Sequence, residues 1–258
     1  VVHVDGARAE VVKAVERAFP AARLLSSNHH LGAGGSRNIL VRAAHHELVA
    51  NFDDDSFPEQ PDYFAQVIEL AGQFPQAAVL SAANHDDPVQ EPRFSRVSEA
   101  SGCGCIFRKS WFMKVGGFVP LPVAYNMEEV DMGLRLHAMG GVIVRDSQLR
   151  VVHDKPPPEF IDAATNAAIL MNTALFPYLR FPVWLWPVAV WQIVSRLRFL
   201  YKRGWARGIK AGICGMPSHL LAHRHRREAL PTLAVVSWLS LRRFPGRMEA
   251  GRPPSLGV

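Results

Sequence analysis

The chain has 258 residues, 48% of them hydrophobic and 20% charged, a balance that builds a packed core and excludes a disordered, collagen-like or mini-protein chain. The net charge of +6 hides a split near Arg180: residues 1–179 carry 15 basic and 21 acidic side chains, a balance of −6, whereas residues 180–258 carry 14 and 2, a balance of +12. That division implies an acidic body handling a metal or substrate, joined to a tail that meets anionic surface, whether phospholipid or nucleic acid.

Val1–Val4 reads as a buried strand, and Ala9, Val12, Val15, Ala18 and Phe19 fall on one helical face. Ala22–Leu25 and Leu48–Phe52 read as further strands. Between them Ser36–His46 reads as a helix entered through the Gly-rich loop 28–35. Asp62 is placed to cap a helix running to about Gln73, Ala77–Ala82 is a strand, and Asn84–Pro92 a polar loop. Cys105–Phe107 reads as a strand and Lys109–Val115 as a short helix broken by Gly116 and Gly117. Glu128–Met139 puts Val130, Leu134 and Met139 at helical spacing and stops at Gly140-Gly141, ahead of the strand Val142–Val144. Val151-Val152-His153 closes this part. Strands alternating with helices predict an α/β fold with a parallel sheet.

Pro156–Pro158 reads as a semi-rigid connector, which sets a domain at 1–158 and a helical, basic extension at 159–258. Ile161–Leu175 reads as a helix. Phe181–Ser195, with Trp184, Trp186 and Trp191 but also Pro182 and Pro187, is shorter than the roughly 20 apolar residues of a spanning helix. Arg196, Arg198, Lys202, Arg203, Arg207 and Lys210 follow, interleaved with aromatic and aliphatic residues, the composition of an interfacial helix facing anionic lipid. Pro231–Leu241 repeats the theme more weakly. The opposing reading packs these aromatics as ordinary core.

Asp53-Asp54-Asp55 stands at the C-terminal end of a predicted strand, where open α/β sheets bind ligands. Crowded carboxylates suit a hard divalent cation bridging to phosphate, or else form a solvated acidic turn. Upstream, Gly32-Ala33-Gly34-Gly35-Ser36-Arg37 offers backbone N–H groups and a guanidinium to an anion. It matches neither a Walker A loop nor a dinucleotide fingerprint. Glu128 and Glu129 open a helix, where the macrodipole favours acids and where a carboxylate can also take a proton from a hydroxyl. His153 is either an ordinary histidine or a nitrogen ligand to the same cation. Cys103 and Cys105, with no second pair, make no zinc site, and three sparse cysteines fit a reducing compartment.

Taken in order, these segments resemble the nucleotide-sugar-dependent family 2 glycosyltransferases, from Val1 to about His153. Val1–Asp5 resembles the family's strand ending in Asp near the base, Asn28 through Arg37-Asn38 its N-x-G-x-x-x-x-R-N segment, and Asp53-Asp54-Asp55 its DXD motif. Gly102–Lys109 with Val115–Phe118 resembles the acceptor-side segment, Glu128–Leu136 the acidic catalytic motif, and Val151-Val152-His153 the late histidine. The resemblance implies a GT-A-like α/β fold, a mixed, mostly parallel sheet flanked by helices, with the helical C-terminal extension added. The family opens on one further strand and helix, which this sequence is expected to lack.

The resemblance further implies a metal-dependent, inverting glycosyltransferase moving a sugar from a nucleoside-diphosphate sugar to a hydroxyl of a glycan or lipid-linked acceptor in cell-envelope polysaccharide assembly. Glu129 is then the catalytic base and Glu128 its support. Asp5, Arg37, Asp53 and Asp54 bind the nucleotide sugar, and Asp53, Asp55 and His153 hold Mg²⁺ or Mn²⁺. The expected setting is cytoplasmic, peripheral on the inner face of a membrane, without nucleic acid. Two rivals use the same residues. A dehalogenase-like phosphoryl transfer through Asp53 and Asp55 is disfavoured by Phe57 and by the want of a later Gly-Asp pair. The other is a degenerate, non-catalytic GT-A scaffold with a basic tail that binds membrane or nucleic acid.

Overall fold

The computed structural model describes residues 1–6, 8–89, 92–123, 125, 127–154 and 162–251. The expected connector Pro156–Pro158, the domain boundary after residue 158 and the first residue of the helix expected at Ile161 lie outside the described residues. In chain order the elements begin with β1 (Val2–Val4), α1 (Ala9–Ala18), β2 (Leu24–Ser26), α2 (Gly32–Ala43), β3 (Leu48–Asn51), β4 (Ser56–Pro58) and α3 (Tyr63–Gln73). Next come β5 (Ala77–Asn84), β6 (Phe94–Val97), β7 (Cys105–Arg108), α4 (Lys109–Lys114), α5 (Glu128–Ala138) and β8 (Val142–His153). Then follow α6 (Ala163–Arg180), a 3₁₀ turn (Val183–Leu185), α7 (Trp186–Lys202), α8 (Ile209–Ala222), a second 3₁₀ turn (Arg224–Arg226), α9 (Thr232–Arg243) and β9 (Gly246–Arg247).

The chain divides into two compact units, each assembled from three segments: Val1–His45, Gly117–Asp131 and Pro158–Thr232 in the first, His46–Gly116, Met132–Pro157 and Leu233–Val258 in the second. Neither coincides with a body at 1–158, because much of the extension belongs with the N-terminal segment. In the first unit β1 pairs parallel with β2. The Asp162 carboxylate caps α6, accepting from the Ala164 and Thr165 N–H groups at 2.9 and 3.0 Å. From there α6 buries Ile169, Leu170, Leu175, Phe176 and Leu179. α8 packs against it at Gly212, where a Cβ would come 3.1 Å from Ala167 Cα, so the helix backbones meet without a side chain between.

The second unit holds a sheet in the order β3-β7-β5-β8-β6-β9, with β4 also paired to β8. The sheet is mixed as expected, but not mostly parallel: β5 and β8 run parallel, and the other five pairings are antiparallel. The reason is that β7 and β6 insert antiparallel on either side of the β5–β8 pair. β5 is buried from Ala77 to Ala83, which is why it reads as an unbroken apolar run. Tyr63 and Leu70 of α3 pack with Phe74, Leu80, Ile106, Val144 and Leu149 in the core. The two short strands expected at 142–144 and 151–153 are one strand, β8. Its polar middle is satisfied from outside the ladder: Arg145 pairs with Asp87 at 2.6 Å, Asp146 with Arg93 at 2.9 Å, and Arg150 reaches the Asn84 and Asp87 carbonyls at 2.7 Å.

Because β3 is antiparallel to β7, β7 to β5, and β5 parallel to β8, strands β3 and β8 point the same way. Asp53–Asp55, just past β3, and His153, the last residue of β8, therefore stand at the same end of the sheet, the end where α/β sheets place ligands.

Candidate active site

In the first unit, Asp5 follows β1 and its carboxylate organises the entry to α2. Leu31 N–H donates to Oδ1 at 2.8 Å and Gly32 N–H to Oδ2 at 2.9 Å, the Ser27 hydroxyl donates to Oδ1 at 3.0 Å, and His30 Nδ1 stands 2.8 Å from Oδ2. These backbone groups lie at the start of α2, where unpaired N–H groups and the macrodipole favour an anion. Burial raises the Asp5 pKa, but the hydrogen bonds from Leu31, Ser27 and Gly32, with His30 beside them, outweigh it and hold the carboxyl below its usual range. Four partners surround the two oxygens, so Asp5, expected near the nucleotide, shapes this turn. The same bonds explain why Gly32–Gly35, expected as a loop, is the first turn of α2.

Gly34 donates its N–H to Glu128 Oε1, and a Cβ at that position would lie 2.6 Å from the same oxygen. Only a glycine admits the carboxylate this close. Arg37, on the next turn of α2, spans both acids, with its Nη1 3.0 Å from Glu128 Oε2 and 3.3 Å from Glu129 Oε1. The Glu128 side chain is 6% exposed, the Glu129 side chain 30%. One carboxylate is thus enclosed and held by two donors, and its neighbour stays open to solvent while sharing the same guanidinium. Arg37 was expected to face an anionic ligand; it is buried against the acids because the i to i+3 spacing from Gly34 puts both on the α5-facing side of α2.

Three further residues fix this assembly and were given no role from sequence. The Asn38 amide pairs with Phe118, donating to its carbonyl at 2.9 Å and accepting from its N–H at 2.8 Å. Asp131, on the first turn of α5, is ion-paired with Arg180 at 2.6 Å. Asn172 of α6 donates to the Val123 and Tyr125 carbonyls at 2.8 and 3.2 Å, holding the segment that leads into α5, and its own Oδ1 meets His219 Nε2 at 3.1 Å. Burial, with His223 adding to it, pushes the His219 pKa down. The available signal was Arg180 itself, the lone charge between Asp162 and Arg196.

In the second unit, Asp53–Ser56 forms a turn: Ser56 N–H donates to the Asp53 carbonyl at 3.1 Å, and the Asp53 N–H donates to the Ser56 hydroxyl at 2.8 Å. The β4–β8 pairing sets Ser56 opposite His153, so Asp55 arrives beside the imidazole, its Oδ1 3.2 Å from Nε2. Asp54 is exposed. Among the described residues no three His, Cys, Asp or Glu side chains gather as a metal-binding group, so the expected triad of Asp53, Asp55 and His153 reduces to the Asp55–His153 pair.

No protein-family model and no curated protein matches the sequence. Among solved structures the chain is similar to the mannosyltransferase PcManGT from Pyrobaculum calidifontis in complex with GDP-Man and Mn²⁺, at 13% identity and a TM-score of 0.54, over 94% of this chain and 77% of that one. It is similar to S. aureus TarS 1-349 in complex with UDP-GlcNAc, at 15% identity and a TM-score of 0.50, over 68% and 55% of the two chains. A third likeness is to GalNAc-T7 with UDP, GalNAc and Mn²⁺, at 10% identity and a TM-score of 0.51, over 84% and 50%. The chain spans about half the length of these last two. The mixed sheet flanked by helices is the fold of the GT-A-type glycosyltransferases.

Proposed function

We propose that the protein is an inverting glycosyltransferase that moves a sugar from a nucleoside-diphosphate sugar to a hydroxyl of a glycan or lipid-linked acceptor. The observation that carries this reading is the unequal treatment of two adjacent acids by Arg37: Glu128 is enclosed, Glu129 is 30% exposed. An enclosed carboxylate bonded to a guanidinium and a backbone N–H positions its neighbours, whereas an oriented, accessible one can receive a proton. Glu129 takes the proton of the acceptor hydroxyl as that oxygen bonds to the anomeric carbon. The bond from that carbon to the diphosphate oxygen breaks on the opposite face, and the nucleoside diphosphate leaves with the electron pair.

Asp55 and His153 are the residues that would hold a divalent cation. Mg²⁺ and Mn²⁺ often take one or two protein ligands and complete their shell with substrate phosphate and water, so a carboxylate–imidazole pair suits an ion carried in with the donor. When bound, such an ion neutralises the charge growing on the departing diphosphate. Asp53 and Asp54, on the same turn, are assigned to hydroxyls of the nucleotide sugar, which a carboxylate can accept from. The fold and the GDP-Man, UDP-GlcNAc and UDP of its structural neighbours support this donor class.

Release of nucleoside diphosphate from GDP-Man, UDP-GlcNAc and related donors, with and without Mn²⁺, tests the reading. Glu129→Gln is expected to cut turnover by about 10²–10⁴-fold with donor affinity unchanged. Near-normal turnover in that variant removes Glu129 as base, and no release from any donor points to a non-catalytic scaffold.

A further inference from the structure

We propose that the 3₁₀ turn at Val183–Leu185 and α7 form a docking face for an anionic lipid bilayer. This goes beyond the transfer chemistry and does not depend on it. α7 buries Ala189 and Leu200, half-buries Val188 and residues 192–197, and leaves its remaining positions exposed. Val183 is 58% exposed, Trp184 69%, Val190 59%, Trp191 62% and Tyr201 76%, large apolar surface that a water-facing helix does not spend on indole and β-branched side chains. Trp191 and Arg198 stand seven residues apart on α7 and so share one side, with Trp184 exposed on the 3₁₀ turn before it.

Cations border the aromatics and lie against their rings: Arg198 is 5.8 Å from the Trp191 centroid, and Arg196 and Arg203 are 5.4 and 5.6 Å from that of Phe199. Long basic side chains over aromatic rings can extend to headgroup phosphates while the rings enter the acyl boundary. Trp184 also keeps its polar end satisfied, its Nε1 donating to Thr232 Oγ1 at 2.9 Å.

Charge selects the occupant. No acidic residue stands between Asp162 and Glu228. A second copy on this face would bring cations against cations, and a nucleic acid would gain nothing from Val183 and Val190, which offer neither a donor nor a stacking plane. An anionic bilayer takes both features at once. Among the described residues no helix is long and apolar enough to cross a membrane, so the geometry is that of a helix lying in the interface.

The test is flotation of the full chain with phosphatidylcholine vesicles, with and without phosphatidylglycerol. The expected result is co-flotation with the phosphatidylglycerol vesicles, weakened by high salt, with a blue shift of tryptophan emission. The Trp184→Ala/Trp191→Ala variant is expected to bind about tenfold more weakly. Arg198→Gln and Lys202→Gln together are expected to lose about tenfold or more on anionic vesicles while leaving binding to neutral ones unchanged. All these positions are exposed, and far-ultraviolet circular dichroism and the unfolding midpoint are expected to match the parent. Failure of the full chain to float with anionic vesicles overturns the proposal. So does unaltered binding by the tryptophan variant, dimerisation through this face in place of vesicle binding, or retention by an oligonucleotide that those substitutions abolish while flotation persists. None of these readouts uses donor turnover, so their failure is distinct from failure of the glycosyltransferase reading.

Discussion

Arg180 Nε stands 2.6 Å from Asp131 Oδ1, and the two side chains are 5% and 1% exposed. The pair ties the last residue of α6 to the helical turn that carries Glu128 and Glu129, 49 residues earlier in the chain. With the Asn172 bonds to the Val123 and Tyr125 carbonyls, this pair makes α6 part of the candidate site.

Breaking a buried ion pair by removing one partner costs about 3–5 kcal/mol, whereas replacing both with apolar residues of similar volume is often neutral. Arg180→Met is therefore expected to lower unfolding stability by that amount, and Arg180→Met/Asp131→Leu to recover most of it. Urea unfolding of the four proteins in the cycle measures this. If the double variant is as unstable as the single one, the ion pair is not what joins α6 to α5.

Glu128 and Glu129 are adjacent but are expected to fail differently. Glu128→Gln withdraws charge from the buried Arg37 and sets an amide N–H against either the guanidinium or the Gly34 N–H, costing about 2 kcal/mol or more. Glu129→Gln touches a more exposed carboxylate that shares Arg37 with Glu128, so its stability is expected to stay within about 0.5 kcal/mol of the parent while turnover collapses. Equal losses of stability in both variants, by denaturant unfolding, would remove the distinction between holder and base.

Much of the frame is legible in the sequence: β1, α1, β3, α3, β5, β7, α4 and α5 lie within a few residues of their expected places, although β1, expected to be buried, is only half-buried and α1 buries no residue. The mismatches have local causes. Arg145, Asp146 and Arg150 broke the apolar run of β8 because their partners, Asp87, Arg93 and the Asn84 carbonyl, are distant in sequence. Gly32–Gly35 read as a loop because glycine is a poor helix former, and the carboxylates of Asp5 and Glu128 that stabilise this turn lie in other segments. β6 is only half-buried and carries Ser95 and Arg96, so it shows no strand period. In the tail the two readings of the aromatics divide: Trp238 is fully buried in the second unit, its N–H on the Ser98 carbonyl at 3.0 Å, whereas Trp184 and Trp191 are exposed. Composition alone did not separate them, since all three lie beside arginines.

For the cation, Mn²⁺ titration by calorimetry in the presence of UDP or GDP is expected to show a single site that Asp55→Asn or His153→Ala weakens by about tenfold or more. Asp53→Asn is expected to weaken it less, because the carboxylate placed beside the imidazole is that of Asp55. Chelation is expected to remove donor turnover and addition of Mn²⁺ to restore it. A larger loss from Asp53→Asn than from His153→Ala would reverse the assignment.

Asp5 gives a pH prediction. Its pKa is lowered in the folded chain by its hydrogen bonds, whereas in the unfolded chain it returns to about 3.9. Between the two values the unfolded chain binds more protons, so stability from this residue is complete above the unfolded pKa and is lost as pH falls through the folded one. Asp5→Asn keeps one acceptor but turns a donor toward the Gly32 N–H or His30. The unfolding midpoints of parent and variant are expected to differ most near neutrality and to converge as pH falls through the lowered folded-state pKa of Asp5. His30→Ala serves as the control. Its imidazole is 64% exposed, and an exposed pair contributes about 0–1 kcal/mol, so this variant is expected to retain most of the parent's pH dependence. If His30→Ala instead removes that dependence while Asp5→Asn does not, the imidazole and not the backbone cap governs the α2 turn.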